Sequence, residues 1–252
     1  MKKTFLHHEK PLLTVMLQCE TPDIAIGRIR NANCLGADAY GLQAESLKPE
    51  YQNTETYQRI FREMKDRPSY VTNYRSANNT GKTDEELAVG MIQLAESGAT
   101  LVDVMGDMFC KHPEELTDDT DAIKKQTELI NHLHSLGSEV LISSHLYKYA
   151  PAERVLEIAQ EQKRRGADIV KIVTFANNME QQIENLRITD LLKRELNAPF
   201  LFLSGGECSL HRRIGIQLGC CMCLCVYEHD VHSTPMQPLL STMKAIRDDI
   251  DF

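Results

Sequence analysis

The sequence has no surplus of positive charge. Its 28 Lys and Arg stand against 36 Asp and Glu, for a net charge of −8, so a phosphate backbone or an anionic membrane surface repels it on average and nucleic acid is not an expected partner. No apolar run approaches the roughly 18 residues of a membrane span. The mixed N-terminus MKKTFLHHEKPLLTVMLQCE has no small-residue cleavage site, and a cytoplasmic protein is expected. No Pro-, Gly- or Ser-rich linker and no block of like charge divides the chain, which predicts one domain over residues 1–252. Cysteine is plentiful, but five of the eight (Cys208, Cys220, Cys221, Cys223 and Cys225) fall in one apolar segment, where a reduced thiol behaves as a small hydrophobe. The run CCMCLC lacks the paired C-x2-C knuckles of zinc modules. His229 and His232 lack a third ligand, so no metal is expected.

With 25% charged and 42% hydrophobic residues in 252, the chain has the balance of a globular protein that buries a full core. Eight short apolar runs recur along it: Leu12 to Leu17, Ala39 to Ala44, Tyr70 to Tyr74, Leu101 to Met105, Val140 to Ser144, Ile169 to Phe175, Phe200 to Leu203 and Cys221 to Tyr227. Between them lie segments with apolar residues at helical spacing, such as DEELAVGMIQLAESGA and AERVLEIAQEQKRRGA. Gly98, Gly137 and Gly166 sit where helices should end and the next strand begins. Repeated strand-helix units require a parallel sheet. Eight of them, with no GxGxxG after the first strand, predict a closed (β/α)8 barrel, a TIM barrel, whose chemistry lies at the C-terminal ends of the strands.

That rule selects the candidates. Lys171 interrupts the apolar strand of GADIVKIVTF, where desolvation disfavours the ammonium and a neutral amine would be a nucleophile. The alternative is a Lys paired with a carboxylate inside the barrel. His145 ends the preceding strand, VLISSH, within reach of the mouth that Lys171 faces, and is a candidate acid and base. Arg75 after strand three and Arg212 or Arg213 after strand seven are candidates for holding a substrate carboxylate. Asp103 and Asp107 flank strand four and either could serve as an acid, with a structural hydrogen bond inside the barrel the favoured role for Asp103.

These segments resemble type I 3-dehydroquinate dehydratase, the Schiff-base enzyme of the shikimate route to aromatic amino acids, over nearly the whole chain. SSHLYKYAP is similar to the family's S-x-H-D-F-x-x-T-P and GADIVKI to its A-D-x-x-K-I, which puts His145 and Lys171 at the family's base and imine positions. YRSAN is similar to F-R-S and places Arg75. SLHRRIGIQLG is similar to I-S-R-x-x-G-x-x-F-G and places Arg212, and HSTPMQP is similar to S-A-P-G-Q and places Ser233 and Gln237 on a closing loop. There are departures. Where the family has E-x-R-x-D on strand two, this chain reads Gly41-Leu42-Gln43-Ala44-Glu45, leaving Gln43 as the polar contact. Where the family has the Glu that orients the histidine, it has Asn79.

The resemblance implies a hydro-lyase that uses no metal or organic cofactor and forms a homodimer. Lys171 attacks the ring ketone of a small carboxylate substrate, His145 removes the adjacent proton and then protonates the departing hydroxyl, and Arg212 holds the carboxylate. Gly41, Gln43 and Asn79 keep two alternatives open: a Schiff-base lyase or aldolase acting on a different carbonyl acid, and a non-catalytic ligand-binding relative. The covalent reading requires an uncharged amine projecting into the mouth. An amine locked in an ion pair, or pointing outward beneath the helices, would remove it. On this reading Lys171→Met abolishes imine trapping and leaves the fold intact.

Overall fold

In a computed structural model that describes residues 3–207 and 210–250, the eight apolar runs are eight strands. They are β1 (Leu12–Leu17), β2 (Ala39–Gln43), β3 (Ser69–Thr72), β4 (Leu101–Met105), β5 (Glu139–His145), β6 (Ile169–Phe175), β7 (Phe200–Gly205) and β8 (Met222–Cys225). Helices α1 (Pro22–Leu35), α2 (Thr54–Glu63), α3 (Asp84–Glu96), α4 (Thr120–Ser135), α5 (Ala152–Arg164), α6 (Met179–Glu195), α7 (His211–Ile214) and α8 (Leu240–Asp249) alternate with them. Every paired strand is parallel to its neighbour, in the order β7-β6-β5-β4-β3-β2-β1-β8, as expected for the (β/α)8 barrel. At the β7–β8 seam the Cys221 N–H donates to the Phe200 carbonyl at 2.9 Å.

The period of two along each strand separates two cores. Leu101, Leu141, Ile169, Leu201, Met222 and their neighbours fill the barrel, with Phe5 of the N-terminal segment closing its floor. Val102, Val140, Ile142, Val170 and Phe202 face outward and pack under the helices. Cys223 and Cys225 belong to this outer layer, which fits their expected role as small hydrophobes, and burial pushes the Cys223 thiol up to about 12. Cys208 lies outside the described residues.

Helix ends follow local chemistry. Gly98, Gly137 and Gly166 adopt φ of 106°, 90° and 103° just past α3, α4 and α5, a left-handed conformation that glycine reaches without strain. Helix α3 opens with a capping box: the Thr83 side chain accepts from the Glu86 N–H, and the Glu86 carboxylate accepts from the Thr83 N–H at 2.7 Å. Thr83→Ala should cost about 1 kcal/mol. The loss should appear as a lower urea midpoint at unchanged slope.

Candidate active site

The inward rows of side chains end at the C-terminal mouth of the barrel in a cavity of about 430 Å³, whose wall includes Gln43, Tyr74, Arg75, His145, Lys171 and Arg212. Lys171 faces inward because it shares strand parity with Ile169 and Val173, both of the inner core. Its Nζ donates to Asp103 Oδ2 at 3.0 Å, to Tyr70 Oη at 2.9 Å and to Tyr74 Oη at 2.7 Å, so all three N–H bonds of an ammonium are used. Both phenols also donate to Asp103 Oδ2, each at 2.5 Å, and Ser143 donates to Oδ1 at 2.5 Å.

The Lys171 and Asp103 side chains are 4% and 0% exposed. Burial raises the Asp103 carboxyl, but the Lys171 charge and the bonds from Ser143, Tyr70 and Tyr74 outweigh it and hold the group below the usual carboxylate range. The structure therefore corrects the neutral-amine reading. The nitrogen does not point beneath the helices, but it is locked in an ion pair, and Asp103 is the partner that the sequence reading set aside as merely structural.

His145 lies opposite Val173 in the β5–β6 register, one inward step above Ser143 and Lys171. No hydrogen bond joins it to Lys171 among the described residues. Tyr74 stands between them, its hydroxyl on Nζ and its ring edge-on to the imidazole at 5.5 Å. The carboxylate that orients the imidazole is Glu115, whose Oε2 lies 2.6 Å from Nδ1 and also accepts the His145 N–H at 3.0 Å.

Glu115 comes from the loop after β4, and the loop is clamped. Ser144 Oγ donates to the Glu115 carbonyl at 2.8 Å, and the buried Arg165 donates to the carbonyls of Gly106 and Thr117. Gly106 permits the approach, since a Cβ there would stand 2.4 Å from the Glu115 carbonyl oxygen. Asn79 lies elsewhere, donating to Asn73 Oδ1 at 2.7 Å and to the Tyr74 carbonyl at 3.1 Å. Sequence reasoning missed Glu115 because one of several acids in EELTDD is chosen only by the fold.

The two arginines differ. Arg75 reaches the cavity wall, but its guanidinium grips both carboxylate oxygens of Asp84 at 2.7 Å and Asp107 Oδ1 at 2.7 Å. Burial works against that cation, and the two aspartates more than reverse the effect, holding its pKa above the ordinary value. Arg75 is thus engaged by the protein, against the expectation that it holds substrate. Arg212, 8% exposed, donates Nε to the Ser204 carbonyl at 3.0 Å, and no carboxylate of the described residues pairs with it. Burial lowers it to about 10. A buried guanidinium facing a cavity without a counter-ion is a site for an anion.

The loop after β8 brings Thr234, Met236 and Gln237 to the cavity, and Gln237 Oε1 is buried with no partner among the described residues. Ser233 does not line the cavity. Its hydroxyl accepts from the Asp230 N–H at 2.8 Å and donates to the Asp230 carbonyl, fixing the loop's own turn instead of serving a ligand. Gln18 pins the loop by donating to Thr234 Oγ1 at 2.8 Å and accepting from its N–H at 3.0 Å. Gln43 lines the cavity and reaches the buried Glu45 at 3.4 Å. Burial pushes Glu45 up to about 7, against lowering by hydrogen bonds that include one from Thr72. Among the described residues no cluster of three His, Cys, Asp or Glu side chains is placed to hold a metal.

The model of the Type I 3-dehydroquinase family matches residues 13–248. The chain belongs to that family. A 3-dehydroquinate dehydratase of Alkaliphilus oremlandii (strain OhILAs) is 36% identical over 95 residues, a stretch covering 37% of this chain and only 36% of that protein. The 3-dehydroquinate dehydratase of Geobacillus kaustophilus HTA426 superposes with a TM-score of 0.81 at 17% identity, covering 98% of this chain and 95% of that one. The type I enzyme of Clostridium difficile, solved with covalently modified comenic acid, superposes with a TM-score of 0.80 at 17% identity over 96% of this chain and 92% of that one. At such identities these two likenesses speak for the fold alone.

In this family member the ion pair alters what Lys171→Met should do. The depressed Asp103 pKa adds stability above the usual carboxylate range that is lost as pH falls through it. Removing the cation leaves burial opposed only by the bonds from Ser143, Tyr70 and Tyr74, so the Asp103 pKa rises and the charged carboxylate becomes a cost to the fold at neutral pH. The variant should be least stable at neutral pH, by about 3–5 kcal/mol relative to wild type, with the gap narrowing toward pH 4. Urea unfolding at both pH values reads this, and an unchanged midpoint at pH 7 would contradict the pair. Glu115→Gln should change the ring-nitrogen shifts of His145 in NMR spectra, because the partner of Nδ1 no longer carries charge.

Proposed function

We propose that this chain, acting as one domain, dehydrates 3-dehydroquinate through a Lys171 imine, with His145 as general base and acid. The observation that carries the reading is the meeting, in one cavity, of Lys171, His145 on its carboxylate, and Arg212, with which no carboxylate of the described residues pairs. The requirement of an amine already uncharged at rest is not met, and the imine reading stands only with an added step: a proton must first leave Nζ, because the ammonium cannot attack a carbonyl. Asp103 already contacts that nitrogen. Burial that disfavours both charges lowers the cost of the proton-transferred amine–acid pair, and an ion-paired lysine is then the resting state of a nucleophile. Arg212 takes the substrate carboxylate, Gln237 faces the ring, and His145, held by Glu115, removes the proton beside the iminium and returns it to the leaving hydroxyl.

A second reading, a different carbonyl acid, has one observation in its favour. Above Gly41, where the family carries a charged residue, the Met16 thioether fills the space so closely that a Cβ would stand 2.3 Å from its sulfur. That wall is apolar where ring hydroxyls would need polar contacts. The non-catalytic reading rested on Asn79, and Glu115 supplies the carboxylate thought to be missing. The proposal includes a homodimer in a reducing cytoplasm. Free cysteines throughout the described residues suit that compartment, and among those residues no helix is long and apolar enough to cross a membrane.

Incubation with 3-dehydroquinate and borohydride should add the reduced substrate to the Lys171 peptide, and turnover should produce enone absorbance. An unmodified peptide with no absorbance sinks the reading, whereas trapping of another keto acid without that turnover moves it to the second. His145→Ala should keep imine formation and lose elimination. Arg212→Ala should raise KM roughly 30-fold or more, equivalent to about 2 kcal/mol of lost anion binding. Light scattering tests the dimer.

A further inference from the structure

An ammonium whose three N–H bonds are all taken by oxygens cannot attack a carbonyl, so the site needs a route for one proton out and back. The atoms for such a route surround Nζ. Asp103 Oδ2 receives Lys171 Nζ, Tyr70 Oη and Tyr74 Oη together, and each phenol both accepts from Nζ and donates to Oδ2. The two phenols are not equivalent. Tyr70 lies in β3 and is fully buried, whereas Tyr74 lies two residues beyond the strand end, is half-buried, and faces both the pair and the His145 ring. The family motif F-R-S has Phe at the Tyr74 position, so this hydroxyl belongs to this chain.

We propose that Tyr74, acting with Asp103, takes the proton that frees the Lys171 amine and returns it to the carbonyl oxygen of the bound substrate. The inference rests on the imine reading above. The ammonium gives one proton to the Tyr74 oxygen as Tyr74 gives its own to Asp103, leaving a neutral amine and a neutral carboxylic acid. The nitrogen lone pair forms the bond to the carbonyl carbon, and the C=O π electrons move to oxygen, which takes the proton back through Tyr74. The Asp103 carboxylate then accepts a proton from the new ammonium centre and delivers it to the carbinol hydroxyl. Water leaves and the C=N bond forms. Ammonium and ketone become iminium and water, Asp103 ends as the carboxylate it began as, and nothing beyond the substrate is consumed. Tyr74 is on this account a catalytic residue.

The test compares wild type, Tyr74→Phe and Tyr70→Phe as full chains. The rate of borohydride trapping on the Lys171 peptide with 3-dehydroquinate is measured by mass spectrometry, and thermal stabilisation by the corresponding ring alcohol, which has the carboxylate and no ketone, is measured alongside. Tyr74→Phe restores the family residue and should fold. It should be trapped roughly tenfold more slowly or worse, the scale of one general acid–base group, with wild-type stabilisation by the alcohol. Tyr70→Phe should slow trapping less.

Trapping of Tyr74→Phe at the wild-type rate overturns the inference and leaves the imine reading standing. Equal losses in both variants, or loss of stabilisation by the alcohol together with the rate, make the phenols supports of the ion pair and overturn it too. Absence of trapping in wild type removes the imine reading, and the inference falls with it.

Discussion

A charged pair at the centre of a barrel has to be complete or it destabilises the fold that holds it, because two ions removed from water recover their hydration only from each other and from fixed dipoles. Lys171 and Asp103 meet that condition. The ammonium has three oxygens, the carboxylate has four donors, and the groups come from β3, the loop after it, β4, β5 and β6. The pair thereby ties together the same arc of strands that carries the histidine. One inward step lower on the strands of Asp103, Ser143 and Lys171, Leu101, Leu141 and Ile169 fill the barrel with hydrocarbon.

Above the pair the same rule repeats. Arg75 is matched by Asp84 and Asp107, and His145 by Glu115. Arg212 is the exception among the charges named on the wall: buried, bonded to the Ser204 carbonyl and paired with no carboxylate of the described residues, its guanidinium falls on the β7 side, next to the strand of Lys171. Among the described residues, the other cationic side chains named on this mouth, Arg75, His145 and Lys171, each face a carboxylate. A net charge of −8 makes that local choice sharper, because the molecule as a whole does not attract anions.

The fold was legible because its signals are local and periodic. Period two in the strands, period near 3.6 in the helices, and glycines at 98, 137 and 166 each report backbone geometry within a few residues. The site was legible only where one residue carried its own signal: a lysine in an apolar strand, a histidine at a strand tip. Its partnerships were not. Asp103 has the inward parity of Leu101, so the rule that found Lys171 could have found its counter-ion, but strand-to-strand distance across the barrel is not written in either strand. Glu115 owes its place to Gly106, Ser144 and Arg165, three contacts from three elements, and Arg75 looks free until Asp84 and Asp107 are folded against it.

The wall over Gly41 shows how such partnerships shape selectivity. With no side chain at that position, the Met16 thioether and the Tyr70 ring close over the backbone. The Tyr70 hydroxyl is turned to Asp103 and Lys171, so its ring presents hydrocarbon on the opposite side. The space over the Gly41 backbone on β2 is filled from its two neighbours, by Met16 of β1 and Tyr70 of β3, and the phenols and carboxylate that hold the lysine lie on the β3–β4 side. A substrate held at Arg212 with its ketone at Lys171 would meet apolar surface beyond the ring. Binding strength then has to come from the carboxylate and the reacting carbonyl, and discrimination against smaller keto acids would rest on how well the ring fills the space left by Met16.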